Sequence, residues 1–152
     1  MFFLMAFKLN RETGLQIKAL SDMEKRFMLS IMTQSRDQHL SWNEDVVLTP
    51  EDMRRVGCTW ETEAGFAEVW DAFKAAGHAL SEHTFTLEKP YSMFHFCTRP
   101  KADDAARTIT VQLTIYAMRI SISLHLRYFE LVRAGKPADM DSILALPGIL
   151  GK

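Results

Sequence analysis

Residues 103–135 read DDAARTITVQLTIYAMRISISLHLRYFELVRAG, a stretch dominated by apolar side chains. After its two aspartates it has no Gly, Pro, Asn or Asp before Gly135. On a helix, its apolar residues form two adjacent stripes that leave only a narrow polar strip. A helix with so wide an apolar surface is buried in its domain or shared with a partner. We therefore expect this stretch to be the spine of the fold.

A second interpretation of the same stretch stays open. Residues 108–115 alternate between apolar and polar and are rich in β-branched side chains, and residues 120–126 alternate again. Strict alternation favours strands, although the turn between them, at residues 116–119, would have none of the residues that usually form turns. The sequence thus predicts either one helix over residues 105–134 or a hairpin followed by a terminal helix.

The N-terminal part of the chain is predicted to contain strands and then a helix. The apolar residues 1–7 have no basic flank and are far fewer than the about 20 residues of a membrane span, so they indicate a buried strand. Alternation on both sides of a polar, Gly-ended turn predicts a β-hairpin over residues 7–19. Ser21 followed by Glu24 predicts a capping box and a helix to about Gln34.

The middle of the chain has the outline of a helix-turn-helix. Thr49 and Pro50 are typical of a helix start, and Gly57 is typical of a helix end. A second helix is predicted over residues 60–76, where Gly77 would stop it. Two helices joined by a short turn that contains Gly are the outline of this DNA-binding motif.

A second hairpin and a short final helix complete the prediction. The hairpin strands are residues 83–87 and 92–98, in a register that pairs Phe85 with Phe94 and gathers four aromatic rings on one face. Residues 139–146 are expected to form the last helix. The fold class is therefore α+β: small β-hairpins packed with a helix pair and one long C-terminal apolar helix, in an arrangement compatible with a winged helix.

Composition limits the function. The 152 residues fit a single globular domain over residues 1–152. With 18 basic and 19 acidic side chains the net charge is −1, which argues against a strongly basic nucleic-acid binder and against an acidic mimic of nucleic acid. Cys58 and Cys97 stand far apart, as expected for reduced thiols in a cytoplasmic protein.

No constellation in the sequence predicts catalysis. Cys58, Cys97 and the histidines near them are candidate metal ligands or nucleophiles, but the predicted hairpin register separates His83 from His95 and Cys97. The sequence has no phosphate-binding Gly-rich loop and no nucleophile elbow. His125 is expected to be a packing residue. We expect a protein that is not an enzyme and that uses no metal or cofactor.

The first functional hypothesis is a non-enzymatic protein-binding module. It would act as a regulator, adaptor or inhibitor of a partner protein, and it would form a homodimer through the long apolar stretch. The acidic second helix of the central pair is the expected contact face for the partner. The expected partner contacts are Trp60, Glu61, Glu63, Glu68 and Asp71. The expected dimer-interface residues are Ile115, Met118, Ile122, Leu126 and Phe129.

The alternative hypothesis is a winged-helix DNA-binding transcriptional regulator. The order of helix pair, hairpin and long helix is that of a winged-helix domain with a dimerisation helix appended. Glu61 and Glu63, at the start of the second helix, would repel phosphate groups and count against this hypothesis. The basic residues that could contact nucleic acid are Arg54, Arg55, Lys89, Arg99 and Lys101. No membrane partner is expected under either hypothesis.

Overall fold

The computed structural model describes residues 11–86 and 93–146. Within these ranges the chain forms helices and short antiparallel strands. The helices are α1 (Arg11–Lys18), α2 (Asp22–Asp37), α3 (Pro50–Arg55), α4 (Glu63–Glu82), α5 (Ile115–Arg133) and α6 (Met140–Leu144). The strands are β1 (Val46–Leu48), β2 (Phe85–Thr86), β3 (Met93–Phe94), β4 (Lys101–Asp103) and β5 (Thr108–Val111). The α+β class predicted from the sequence is confirmed.

The strands form two small sheets. A three-stranded antiparallel sheet has the order β1-β5-β4, so β5 is central and the other two strands are its edges. The second sheet is the β2–β3 pair, in which Phe85 lies opposite Phe94 as the sequence predicted. An isolated bridge between Cys97 and Leu113 connects the segment after β3 to the segment after β5.

Helix α2 is the centre of the core. Every residue from Phe27 to Thr33 is buried, and the helix contacts α4, β1, α3, α5 and α6. Its start is the predicted capping box, in which the Ser21 hydroxyl accepts from the Glu24 amide and the Glu24 carboxylate accepts from the Ser21 amide. The helix ends at Asp37, about one turn beyond the predicted end.

The helix pair is present, but its second helix was placed wrongly in the sequence prediction. Helix α3 has Thr49 as its N-cap and Pro50 in its first turn, as expected. Helix α4 begins at Glu63 and passes through Gly77 without stopping. Gly77 is there because its neighbour is the ring of Phe27: a Cβ on residue 77 would lie 2.9 Å from Cδ2 and closer still to Cε2 and Cζ. The glycine provides space for a side chain of α2 and does not end the helix.

The first predicted hairpin is wrong in its described part. Residues 11–18 form α1, which buries Ile17 and leaves Leu15 half exposed. The helix is fastened to β2 by Gln16, whose side-chain amide donates to the Thr86 hydroxyl at 2.9 Å and accepts from the Thr86 amide at 2.8 Å. A short alternating segment fits a helix or a strand equally, and this contact with a distant strand decides in favour of the helix. The strand predicted over residues 1–7 lies outside the described residues.

Residues 103–135 combine a strand and a helix in a way that neither prediction anticipated. The alternating residues 108–111 are strand β5, which turns back on β4 and not on residues 120–126. The helix begins at Ile115, where Thr114 is the N-cap, so one helix over residues 105–134 is wrong for its first ten residues. Strand β5 forms because β1 and β4 provide hydrogen-bond partners on both of its edges. The last predicted helix is present as α6, capped by Asp139.

None of the helices in residues 11–86 and 93–146 is long and apolar enough to cross a bilayer.

A side-chain hydrogen bond joins the start of α2 to the residue that follows α4. The Glu24 carboxylate, which is almost fully buried, lies 2.8 Å from Nε2 of His83. Burial alone would raise the pKa of Glu24, but the hydrogen bonds from Ser21 and His83 outweigh burial and lower this pKa overall. The charged form of Glu24 therefore stabilises the folded protein.

We expect Gly77→Ala to destabilise the protein even though alanine is the better helix former by about 1 kcal/mol. The new methyl group would overlap the Phe27 ring, and such overpacking costs about 1–3 kcal/mol. Urea unfolding measures the change. The control is Ala75→Ser at an exposed position of α4, which should change the free energy of unfolding by less than about 0.5 kcal/mol. A Gly77→Ala protein as stable as wild type would contradict the close packing.

We expect Glu24→Gln to reduce the acid sensitivity of the fold. Because the folded pKa of Glu24 is lowered, its contribution is present above its unfolded pKa of about 4.3 and is lost as pH falls through the folded value. Glutamine keeps the capping contact with Ser21 but cannot titrate. The loss of unfolding free energy between about pH 5 and pH 3 should thus be smaller in the variant. Glu68→Gln, an exposed control, should keep the wild-type slope, and equal slopes in all three proteins would refute the assignment.

Candidate functional site

The exposed side of α4 carries alanines and acids. Its outward positions include Ala64, Ala67, Glu68, Asp71 and Ala75. Asp71 lies 3.4 Å from Lys74, which is the only lysine or arginine of the helix. In a helix-turn-helix, the second helix offers Arg, Lys, Asn or Gln to base edges and phosphates. The outer side of helix α4 carries carboxylates and methyl groups instead.

The residues predicted to contact a partner divide between two environments. Glu61, Glu68 and Asp71 are exposed, and the last two share the outer side of α4. Trp60 is half-buried: its ring packs edge-on against Phe66, with centroids 5.1 Å apart, and the Arg54 guanidinium covers it at 3.8 Å. Trp60 therefore belongs to the packing around the start of α4. Glu63, the fifth of these predicted residues, accepts a hydrogen bond from Arg107.

The turn between β4 and β5 is fastened to α4 at two points. Asp104 accepts a hydrogen bond from Trp70 Nε1 and another from Lys74 Nζ, both at 2.8 Å. Lys74 and then Trp70 hold the pKa of Asp104 below its usual range. Arg107 Nη2 donates to Glu63 at 2.6 Å, and its guanidinium lies 4.3 Å from the Phe66 centroid. The two charged side chains of this turn, Asp104 and Arg107, thus each bind a side chain of α4.

The basic residues predicted for nucleic acid do not form one patch. Arg54 stacks on Trp60, and Arg55 forms an ion pair with Asp37 that raises the pKa of its guanidinium. Both lie on α3, which packs beside β1 at one edge of the sheet. Lys101 is exposed on β4, at the opposite edge, and Arg99 is exposed just before it. Lys89 lies outside the described residues.

The cysteines lie in the core, and His83, His95 and His125 each lie beside another group of the domain. Both cysteines are buried, and burial raises the pKa of the Cys97 thiol to about 12. His95 Nδ1 lies 2.9 Å from the carbonyl oxygen of His83, while the His83 ring pairs with Glu24. His125 is half-buried against the Tyr128 ring, and burial lowers its pKa. In the part of the chain that the structure describes, no three His, Cys, Asp or Glu side chains converge as metal ligands do.

An open pocket of about 570 Å³ lies between the end of α2 and α3. In its lining, Arg55 pairs with Asp37, and Asp52 accepts hydrogen bonds from the amide and the hydroxyl of Thr49. The lining residues are Gln34, Asp37, Thr49, Glu51, Asp52, Arg54 and Arg55.

The outer side of α5 is the main exposed apolar surface of a helix in the described chain. Exposed fractions are 46% for Ile115, 36% for Leu126, 51% for Phe129 and 48% for Val132. The opposite side is buried and includes Ala117, Ile120, Ser121, Leu124 and Leu131. Helix α5 is thus apolar on both sides, as the sequence predicted, and the buried side packs against the core of the described residues.

One line of side chains runs along the outer side with alternating spacings of four and three residues. It consists of Ile115, Arg119, Ile122, Leu126, Phe129 and Arg133, and we call it the α5 seam. Spacings of four and three place side chains on one narrow face of a helix, as at the a and d positions of a coiled coil. The Arg133 guanidinium lies over the ring of Phe129 in the same helix, with its Cζ 5.9 Å from the ring centroid.

Four of the five predicted dimer-interface residues lie in the seam. Met118 does not, because it is only 7% exposed and belongs to the core. The sequence prediction overlooked Arg119 and Arg133, since it selected apolar residues alone. The alternating spacing would have identified both arginines, because they complete the heptad pattern.

Comparison with known proteins shows the fold. No family model matches the chain, and no curated protein sequence matches it. Among solved structures, the chain resembles the crystal structure of the WH1 domain of MSBI1.176, a replication protein isolated from a multiple sclerosis patient. The TM-score is 0.58 at 10% identity, over 74% of this chain and 89% of the other. The α+β architecture is thus that of a winged-helix domain, with α3 and α4 as the helix pair and the β4–β5 turn as the wing.

Proposed function

We propose that this chain is a non-enzymatic protein-interaction module that associates with a second copy of itself through the α5 seam. The observation that carries the proposal is the exposure of Ile115, Leu126 and Phe129 along one face of a helix whose other face is already buried. Contiguous exposed apolar surface is typical of protein interfaces and rare elsewhere on soluble domains.

The size of the seam sets the expected strength of the dimer. Covering a half-exposed Leu, Ile or Phe side chain stabilises a complex by about 1 kcal/mol each, half of the value for full burial. A standard protein–protein interface uses about 20–30 residues on each side, and the seam with its neighbours has fewer. We therefore expect a reversible dimer with a dissociation constant in the micromolar range.

The same proposal covers the remaining features. The Cys97 thiol, with a pKa of about 12, stays protonated at neutral pH and is a poor nucleophile, which supports a role without catalysis. Two buried cysteines outside any disulfide support a cytoplasmic location. As a regulator, adaptor or inhibitor, the module would present Glu68 and Asp71 on α4 to a partner protein of opposite charge.

A second candidate function is nucleic-acid binding without base reading. Its support is the winged-helix fold, shared with a domain of a replication protein. Because the outer side of α4 is acidic, contact through this helix would be repulsive. The exposed Arg99 and Lys101, neither of which has an ion-pair partner among the described residues, are the groups that would contact phosphate. Two such contacts give weak, salt-dependent binding that is insensitive to sequence.

We expect the wild-type protein to show a concentration-dependent mass between monomer and dimer, measured by sedimentation equilibrium in the micromolar range. Leu126→Glu places a charge in the middle of the seam and should leave a monomer at every concentration. The matched control, Ala75→Glu, adds the same charge at an exposed position of α4 and should keep the dimer. A monomeric wild-type protein, or equal association of all three proteins, would refute the proposal.

If nucleic acid is bound, we expect a mobility shift on duplex DNA that weakens steeply with salt. The plot of log K against log salt has a negative slope, to which each phosphate contact contributes about −0.9. Arg99→Ala with Lys101→Ala should therefore make this slope less steep by about 2. Lys18→Ala with Lys136→Ala removes the same charge from exposed positions elsewhere and is the control. Absence of a shift at low salt, or equal slopes for the two double variants, would reject this candidate.

A further inference from the structure

We infer that His125 makes the packing of the C-terminal half of α5 sensitive to acid. Uptake of a proton by its ring adds a cation to the junction of α2, α3 and α5, and this half of the helix then opens more often. The inference concerns contacts within one copy of the chain and is independent of the proposed self-association.

A connected set of side chains joins α5 to the other two helices. The half-buried His125 ring packs against the Tyr128 ring one turn later, with centroids 5.7 Å apart. The Tyr128 hydroxyl lies within hydrogen-bond reach of the Arg55 guanidinium of α3, and Arg55 also forms the ion pair with Asp37 at the end of α2. The three helices thus meet through four side chains, and His125 is one of them.

Positive charge outweighs negative charge around this ring. Among the described residues, the charged groups that face His125 are Arg36 and Asp37 at the end of α2 and Arg55 of α3. The one carboxylate already pairs with Arg55. Burial and then Arg36 lower the pKa of His125, Asp37 opposes them, and Arg55 lowers this pKa further. The packed ring is therefore mostly neutral at pH 7.

Acid favours the open state because that state binds more protons. In an opened segment the ring is solvated and titrates near the ordinary histidine pKa of about 6.5, above its value in the packed state. Packing is then strongest above about pH 6.5 and weakens as the pH falls through the packed-state pKa. The weakening begins at a higher pH than the loss of the Glu24 contribution, since the unfolded pKa of glutamate is about 4.3.

The C-terminal half is the part of α5 that responds. The start of the helix is fastened, because the Thr114 hydroxyl donates to the carbonyl oxygen of His95 at 2.6 Å and the Thr114 amide donates to that of Phe96. Residues 132–137, at and beyond the other end, are all exposed. Leu124 and Leu131 are buried in the responding half, so protonation raises the frequency of local opening without unfolding the domain.

Hydrogen exchange measured by mass spectrometry at about pH 7.5 and about pH 5.5, on the two sides of the ordinary histidine pKa, tests the inference. After correction for intrinsic exchange rates, protection of residues 121–133 should fall several-fold between the two conditions, while protection of α4 stays constant. His125→Phe keeps a ring beside Tyr128 but cannot titrate, so this response should disappear. His39→Asn removes an exposed imidazole at a position with φ of 54°, which asparagine tolerates, and should respond as wild type does.

NMR titration of the ring gives a second readout that does not require the phenylalanine variant to fold. The Hε1 signal of His125 should have a midpoint below about pH 6.5 in wild type, and Arg36→Gln should move it upward by removing a facing cation. A wild-type midpoint at or above about 6.5 overturns the inference. So does an unchanged response of α5 in His125→Phe, or an equal loss of protection in α4 and α5, which indicates global acid unfolding.

Discussion

The fold depends on the close approach of α2 and α4 at Gly77. The Phe27 ring lies against the bare backbone of Gly77 and 4.8 Å from the Phe73 ring, so the two helices are nearer than two ordinary side chains would allow. This contact fixes α4 across α2. The remaining sides of α2 are then covered by β1, α3, α5 and α6. Together with α4, these elements bury the middle of α2, from Phe27 to Thr33.

The surface chemistry of the domain departs from what its architecture would suggest. A helix pair and a wing are arranged as in winged-helix domains, and the outer side of α4 is acidic. The wing is held to this helix by Asp104 and Arg107, so its charges are satisfied within the molecule. Among the described helices, exposed large apolar side chains are concentrated on α5, and none lies on α3 or α4.

The sequence predicted what local chemistry decides. The capping pair Ser21 and Glu24 and the start at Pro50 need only neighbouring residues, and the Phe85–Phe94 register follows from alternation. Gly77 was misread as a helix end because its reason, the Phe27 ring, is 50 positions away in the sequence. The strand partners of β5 and the helical form of α1 were not predicted because they depend on contacts with other segments of the chain. Strand β5 pairs with β1 and β4, and α1 binds Thr86 through Gln16. Met118 was predicted at the dimer interface but is buried, because only the packing of the core decides which apolar side chains of α5 face inward.

A core built around one helix has a consequence for how this fold diverges in evolution. Apolar positions around α2 need suitable volumes more than particular identities, since volume-conserving exchanges in a core cost little. The tight position at Gly77 is the exception, because no side chain fits there. Lineages can therefore replace most of the chain and both outer helix faces, and with them the partners, while the arrangement of helices stays the same. Similarity of shape will outlast similarity of sequence in such a domain.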